Sequence, residues 1–423
     1  MNTKAVQIRM NVLRPGIDYF LDASSCKTNN EKQLFHLRKF SKIIGRHPEA
    51  KSLNDIIIEK YQTVPLNSDL GLQQAEIKHH FVFLGSSFQE DIHKNWIGMN
   101  YWPIAELENR GHKVTFYTIN LPGSHQHNDL PVITEILRQI LKRELNTIGA
   151  DVFFSIHGGR FYTKEIVEDA KQAGMKTIFF PLDDPILFNA VSRHLAPYFD
   201  VVLVWSFLRQ LYKQELNIEI VDFLPFPDPF LLYGNELAES EKDRFRSDLI
   251  FTGTLGGTEW RKMRYSYLKA FYQNGLSVRY FGFTNNINDD VFRNIYGGLL
   301  TSNEDGNRVY RSSKIGFSIG HQGYGGYWKN NESAVIGHVF DATAAGVLLL
   351  TDDFSDLHIA YSSDEIVTYE GIRDAVEKAR YYSFHDDERI LIARKGRERC
   401  LKDHTLTNRV RQIEDILNAM VVI

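Results

Sequence analysis

Cysteine is almost absent from this chain: Cys26 and Cys400 are the only two in 423 residues. Their separation offers neither ligand spacing nor a disulfide framework, so no zinc module and no metal site are expected, and a cytoplasmic setting is. Long apolar runs are missing as well. None approaches the ~18 residues that span a bilayer, and Met1-Asn2-Thr3-Lys4 opens without the apolar core of a secretory leader. Neither sign of charge is in excess. With 49 Lys and Arg against 53 Asp and Glu, the net charge is −4, which gives no reason to expect a nucleic-acid partner. The phosphate-loop pattern G-x-x-x-x-G-K-[ST] and the dinucleotide fingerprint G-x-G-x-x-G do not occur, so neither of those cofactor sites is expected. The sequence shows no repeat at solenoid periods and no low-complexity tract.

What is present is an alternation of short apolar runs and amphipathic segments. Strands are predicted at 81–84, 112–119, 151–156, 176–180, 200–204 and 220–224, with helices at 101–110, 131–145 and 164–173 between them. This rhythm predicts one doubly wound α/β domain over residues 79–230. Pro225-Phe226-Pro227-Asp228-Pro229 is stiff and cannot enter a central strand, so it reads as the linker. A second α/β series covers 231–407, with strands at 248–252, 277–281, 314–318, 347–350 and 365–368. A final helix, 408–423, carries an apolar stripe of Val410, Ile413, Ile416, Leu417, Met420 and Val421. Residues 1–78 read differently, as a helical N-terminal extension. Its segment 31–47 has a basic face that fits either peripheral contact with an anionic membrane or a solvated face on the main body; the second is preferred.

Two stretches carry chemistry. Phe251-Thr252-Gly253-Thr254-Leu255-Gly256-Gly257 is a strand end and a glycine turn, followed by a helix start that bears Arg261 and Lys262. Backbone amides at a helix start favour phosphate, glycines allow close approach, and the two cations can grip a diphosphate. The other stretch, His338 to Asp353, reads as a helix with Asp341 in its first turns, a stop at Gly346, and the buried strand Val347-Leu348-Leu349-Leu350. In the first half, His157 and the pair Asp183-Asp184 follow strand ends. There they would face a cleft as acid or base groups, with His157 and Asp184 the candidates for catalysis.

The segment Phe340-Asp341-Ala342-Thr343-Ala344-Ala345-Gly346 resembles the Phe-Glu-Ala-x-Ala-x-Gly segment of GT-B glycosyltransferases. The tail resembles the CgeB-like, spore-maturation-type branch through Ala393-Arg394-Lys395-Gly396-Arg397, His404-Thr405 and Asn408-Arg409. Asp341 stands where that family usually has Glu, and His338 where it often has Arg. The resemblance implies two Rossmann-like domains facing across a cleft. It implies a UDP- or GDP-sugar donor on the second half, at Gly253, Gly256, Arg261, Lys262, Glu332, His338 and Asp341, with Asp341 toward the ribose. The acceptor, unidentified, would bind the first half. No cofactor and no metal are implied. A non-catalytic sugar- or nucleotide-binding scaffold and a sugar-nucleotide epimerase are the competing readings.

Overall fold

The computed structural model describes residues 45–46, 75–86, 102–119, 138, 142–143, 145–156, 163–181, 184, 187–234, 236–257, 259–300, 302–319, 337–354 and 357–421. In the first half, β1 (Gly45–Arg46), β2 (His80–Ser86), β3 (Lys113–Ile119), β4 (Val152–Ile156), β5 (Lys176–Phe180), β6 (Val201–Val204) and β7 (Val221–Asp222) form one sheet. Their order is β1-β3-β2-β4-β5-β6-β7. Six strands are parallel, and β1 runs antiparallel along β3. The helices predicted within the extension lie outside the described residues. The two residues of the extension that form β1 pair with Tyr117 and Thr118, so part of that segment enters the sheet. Most of the predicted helix at 131–145 also lies outside the described residues.

The second half has its own sheet of β8 (Ser247–Thr252), β10 (Val278–Phe281), β12 (Tyr296–Gly298), β13 (Ser313–Phe317), β14 (Leu348–Asp352) and β15 (Val367–Tyr369). All six strands are parallel, in the order β12-β10-β8-β13-β14-β15. A small ribbon, β9 (Leu255–Gly256) with β11 (Thr284–Asn285), sits beside it. Strand order reverses direction between β8 and β13, and between β2 and β4 in the first sheet. In doubly wound sheets the crevice at the carboxyl ends of such strands is the ligand site.

Nine helices are used below: α1 (Trp102–Asn109), α2 (Lys164–Gln172), α3 (Pro229–Tyr233), α4 (Glu259–Gln273), α5 (Asn303–Arg311), α6 (Gly337–Ala344), α7 (Gly371–Phe384), α8 (Asp386–Asp403) and α9 (Leu406–Val421). Burial on both sheet faces explains the near-continuous apolar runs of the strands. In β4, Val152, Phe154 and Ile156 join one core, whereas Phe153 joins the other with Ile166, Val167 and Ala170 of α2. In the second half Leu249 and Phe251 pack under Leu268 and Phe271 of α4. On the opposite face Ile250 packs in a core shared with Val339 and Phe340 of α6. A Cβ at Gly316 of β13 would lie 2.6 Å from the Ala342 Cβ, so the missing side chain is what brings α6 down onto the sheet.

Two elements cross between the halves. The stiff linker continues into α3, whose cap is Asp228: its Oδ1 accepts from the Phe230 amide at 2.9 Å, and Pro229 opens the helix. The last helix, α9, returns to the first half. Leu406, Val410, Ile413 and Leu417 join the core of Phe81, Phe83 and Trp102, as its apolar stripe predicts. Beside this contact Glu414 accepts from Arg110 at 2.7 Å and meets His112 at 2.8 Å. Against the cost of burial, His112 and Arg110 hold the Glu414 carboxyl down to about 2.

Candidate functional site

At the carboxyl end of β8 the chain turns at Thr252-Gly253, in the crevice where the second sheet reverses its order. The glycine turn is built by close backbone approach. The Gly253 amide donates to Phe281 O at 3.1 Å and the Leu255 amide to Phe283 O at 2.9 Å. These two amides therefore extend the sheet and are not open to a phosphate, contrary to the expectation from sequence. Gly256 has φ +76°, and a Cβ there would stand 1.9 Å from Asn285 O. Gly253 has φ +143°, which favours glycine, and a Cβ there would stand 3.3 Å from Phe251 Cζ and 3.5 Å from His338 Nε2, so the turn lies against the imidazole.

His338 and Asp341 come from α6. The helix ends as its sequence predicts: Gly346 has φ +72°, its amide donates to Thr343 O and the Val347 amide to Ala342 O, both at 3.0 Å. One turn apart, His338 Nδ1 and Asp341 Oδ2 are 3.6 Å from each other. His338 Nδ1 also lies 3.4 Å from Thr252 Oγ1, which meets the Tyr310 hydroxyl at 2.9 Å. Gly253, His338 and Asp341, predicted together, are thus brought together.

The linker closes this cluster, and sequence reading missed it. The Asp228 amide donates to Asp341 Oδ1 at 3.1 Å, and the Asp228 side chain accepts from Asn303 Nδ2. Burial pushes the Asp228 carboxyl up to about 7, and the negative charge of Asp341 adds to the effect. The linker backbone and the Asp341 carboxylate of α6 therefore meet at one crevice. The Asp228 oxygens are themselves taken, by the Phe230 amide and by Asn303. The signal in the sequence was an Asp before Pro, a helix-cap pattern; nothing local showed that Asp341 would face it.

The cations are rearranged. Lys262 is exposed, and Arg261 is half-buried. Arg264, one turn after Arg261, is buried. Its guanidinium lies over the Phe251 ring, 5.6 Å from the centroid, and its Nη1 reaches Thr254 O in the glycine turn at 3.4 Å. Helical spacing puts 261 and 264 on one side and 262 on the next. Arg264 is therefore the cation that reaches the turn.

Asp184 is a correction. It is 2% exposed, and its oxygens accept from Ser192 Oγ at 2.9 Å and the Tyr212 hydroxyl at 2.5 Å. The carboxylate is a buried anchor within the first half and presents no base to solvent. His157 and Glu332 lie outside the described residues; His157 follows directly on Ile156, the end of β4. Gly316-Phe317-Ser318-Ile319-Gly320 has the spacing of a nucleophile elbow, but Ser318 is fully buried and its hydroxyl has no hydrogen-bond partner. Among the described residues no base is set against it, so it does not read as a nucleophile. Two of the tail residues, His404 and Arg409, are structural. Arg409 donates to Leu224 O and Pro225 O of the linker, and His404 Nε2 meets Ala360 O at 2.8 Å. Among the described residues no group of His, Cys, Asp and Glu could hold a metal ion, and no helix is long and apolar enough to cross a membrane.

Residues 251–415, which contain the glycine turn, α6 and the tail, match a family model described as glycosyl transferase-like. No curated protein matches the chain. Solved structures match across both halves. A glycosyltransferase from Rickettsia africae ESF-5 is 10% identical, with a TM-score of 0.58 over 81% of this chain and 99% of its own. Sucrose-phosphate synthase from Thermosynechococcus elongatus is 10% identical, with a TM-score of 0.56 over 82% and 100%. Anabaena HepE, solved in complex with UDP-glucose, is 10% identical, with a TM-score of 0.51 over 81% and 100%. At such identities the likeness is one of fold: two Rossmann-like sheets in the GT-B arrangement, as the sequence led us to expect.

Proposed function

We propose that the protein is a glycosyltransferase that moves a sugar from a nucleotide-sugar donor to an acceptor still to be identified. The observation that carries this reading is the meeting of Gly253, His338, Asp341 and Asp228 at the carboxyl end of β8. There a turn, an imidazole and the Asp341 carboxylate of the half that matches the glycosyl transferase-like model meet the Asp228 amide of the linker. Structures of the same fold solved with UDP and UDP-glucose favour a UDP-sugar as the first donor to try. On this reading Asp341 accepts from the ribose, since a carboxylate with two partners still has lone pairs to offer. His338 donates toward the donor phosphates or sugar. Arg261 and Arg264 offset the charge that builds on the departing diphosphate, so that no metal is required. We assign the chain to the CgeB-like branch on its tail motifs, and the acceptor to the first half, near His157.

The test is release of nucleoside diphosphate from a panel of UDP-, GDP- and ADP-sugars. Release that is lost in Asp341→Asn supports transfer. Binding without release supports the non-catalytic reading, which has one observation in its favour: Asp341 already accepts from the linker amide. Interconversion of the sugar with the diphosphate retained would make the protein an epimerase. The corrected cation pair gives a sharper prediction. Arg264→Ala should weaken UDP at least ~10-fold in calorimetry, as loss of a charge-assisted contact does, whereas Lys262→Ala should change it less than ~2-fold.

A further inference from the structure

At the opposite edge of the second sheet, where β8, β13 and β14 begin, lies a cavity of about 570 Å³. It shares Ser247 with the start of β8, the strand whose far end carries the glycine turn. Six residues of strand separate the two, about 20 Å, so this is not the crevice described above. Its lining is cationic. Arg311 and Arg397 face it together with five further Lys and Arg side chains, against only Glu236 and Asp386. We propose that this cavity is a second ligand site, one that binds a phosphate-bearing anion.

Arg311 and Arg397 carry the argument. Both hold backbone carbonyls at helix ends. Arg311 Nη2 donates to Leu231 O at 3.0 Å, and Arg397 donates to Leu232 O at 3.0 Å and to Ala344 O. Those bonds use the N–H groups and leave the positive charges largely uncompensated. Arg311 has one carboxylate within reach, Glu236 at 3.4 Å, and that side chain is 87% exposed. Arg397 has no carboxylate partner among the described residues. Both guanidiniums are held below their ordinary range, first by burial and, for Arg311, by the charge of Arg397; the exposed Glu236 opposes this in both and does not outweigh it. Helix capping alone calls for donors and does not call for two half-starved cations side by side beside a cavity. The outer cations are better matched: Arg246 pairs with Asp243 and Glu239, Lys314 with Asp248, and Arg394 lies 3.8 Å from Glu398. Arg246 and Arg394 sit on exposed side chains that can turn to a ligand. Planar guanidiniums suit the oxygens of a phosphate, and the volume suits a small ester or a lipid headgroup.

The site also bears on the crevice. Arg397 grips the last turns of α3 and α6; Asp228 caps the start of α3, and Asp341 lies on α6 three residues before the gripped Ala344. An anion that draws Arg397 into the cavity therefore acts on the elements that position both carboxyl groups.

The test uses the full chain and sodium pyrophosphate, titrated calorimetrically into the wild type, into Arg264→Ala, and into the double variant Arg246→Glu/Arg394→Glu. Both residues of the double variant are more than half exposed, so its fold should hold, and a thermal melt checks it. We expect a pyrophosphate-binding event, apart from any at the crevice, that persists in Arg264→Ala and weakens at least ~10-fold in the double variant. Sedimentation with phosphatidylcholine vesicles that contain phosphatidic acid separates the sources. Co-sedimentation lost in the double variant assigns the phosphate to a lipid. Pyrophosphate binding without co-sedimentation assigns it to a soluble ester. Binding of neither probe, or binding that the double variant leaves unchanged, overturns the proposal. Loss of binding in Arg264→Ala alone would move the pyrophosphate to the crevice and equally overturn it. A failure to bind UDP would bear only on the proposed function.

Discussion

At the scale of single residues, Asp228 is the group whose behaviour is easiest to foretell. Burial and the neighbouring Asp341 raise its carboxyl to about 7, well above an ordinary aspartate. A carboxyl raised in the folded state favours folding while it is neutral. That contribution is complete below the unfolded value and is lost as pH rises through about 7. Asp228→Asn should therefore flatten the fall in stability between about pH 5 and pH 8, by roughly 1–3 kcal/mol. Urea unfolding across that range measures it, and an unchanged slope would remove Asp228 from the account. Glu106, pushed up to about 7 chiefly by burial, contributes a fall of the same sign in both proteins and drops out of the comparison. Gly256 makes a simpler case. An alanine there meets Asn285 O and a left-handed backbone together, so Gly256→Ala should cost about 1–3 kcal/mol or more. A stability equal to the wild type would mean that the turn is not built as described.

At the scale of elements, most of the architecture was legible. Buried parallel strands are read from apolar runs, and β4, β5 and β8 fall within one residue of their predicted limits. Gly346 marked the end of α6 because a positive φ has a sequence signature. What could not be read is what depends on distant partners. The Pro225 to Pro229 linker announced stiffness but not α3, a five-residue helix held by its Asp228 cap. Lys262 and Arg264 look alike in sequence, and only their side of the helix distinguishes them. Asp184 reads as a cleft base until Tyr212 and Ser192 close around it. The tail motif around Arg397 and Arg409 carries a family resemblance in sequence, and only the fold shows that it ties helices and linker together. The stripe on α9 was both legible and consequential. Leu417 is 1% exposed in the core of the opposite half, so Leu417→Ala should cost about 2–5 kcal/mol, read as a shift in the urea midpoint. A loss under ~1 kcal/mol would mean that α9 does not dock on the first half.

At the scale of the molecule, two doubly wound sheets are joined by a stiff linker and by a helix that returns. The linker does more than connect, since its Asp228 amide reaches the Asp341 carboxylate. Any change in the angle between the halves would pull on a group inside the crevice. The central claim is that the carboxyl end of β8 and the first turns of α6 form the nucleotide site. Hydrogen exchange of the full chain with and without saturating UDP tests it most directly. The account predicts slowed exchange in peptides covering 252–257 and 337–345, with little change at 313–316 on the opposite edge of the sheet. Protection confined to the first half, or none at 252–257 and 337–345 while UDP is bound, would contradict it.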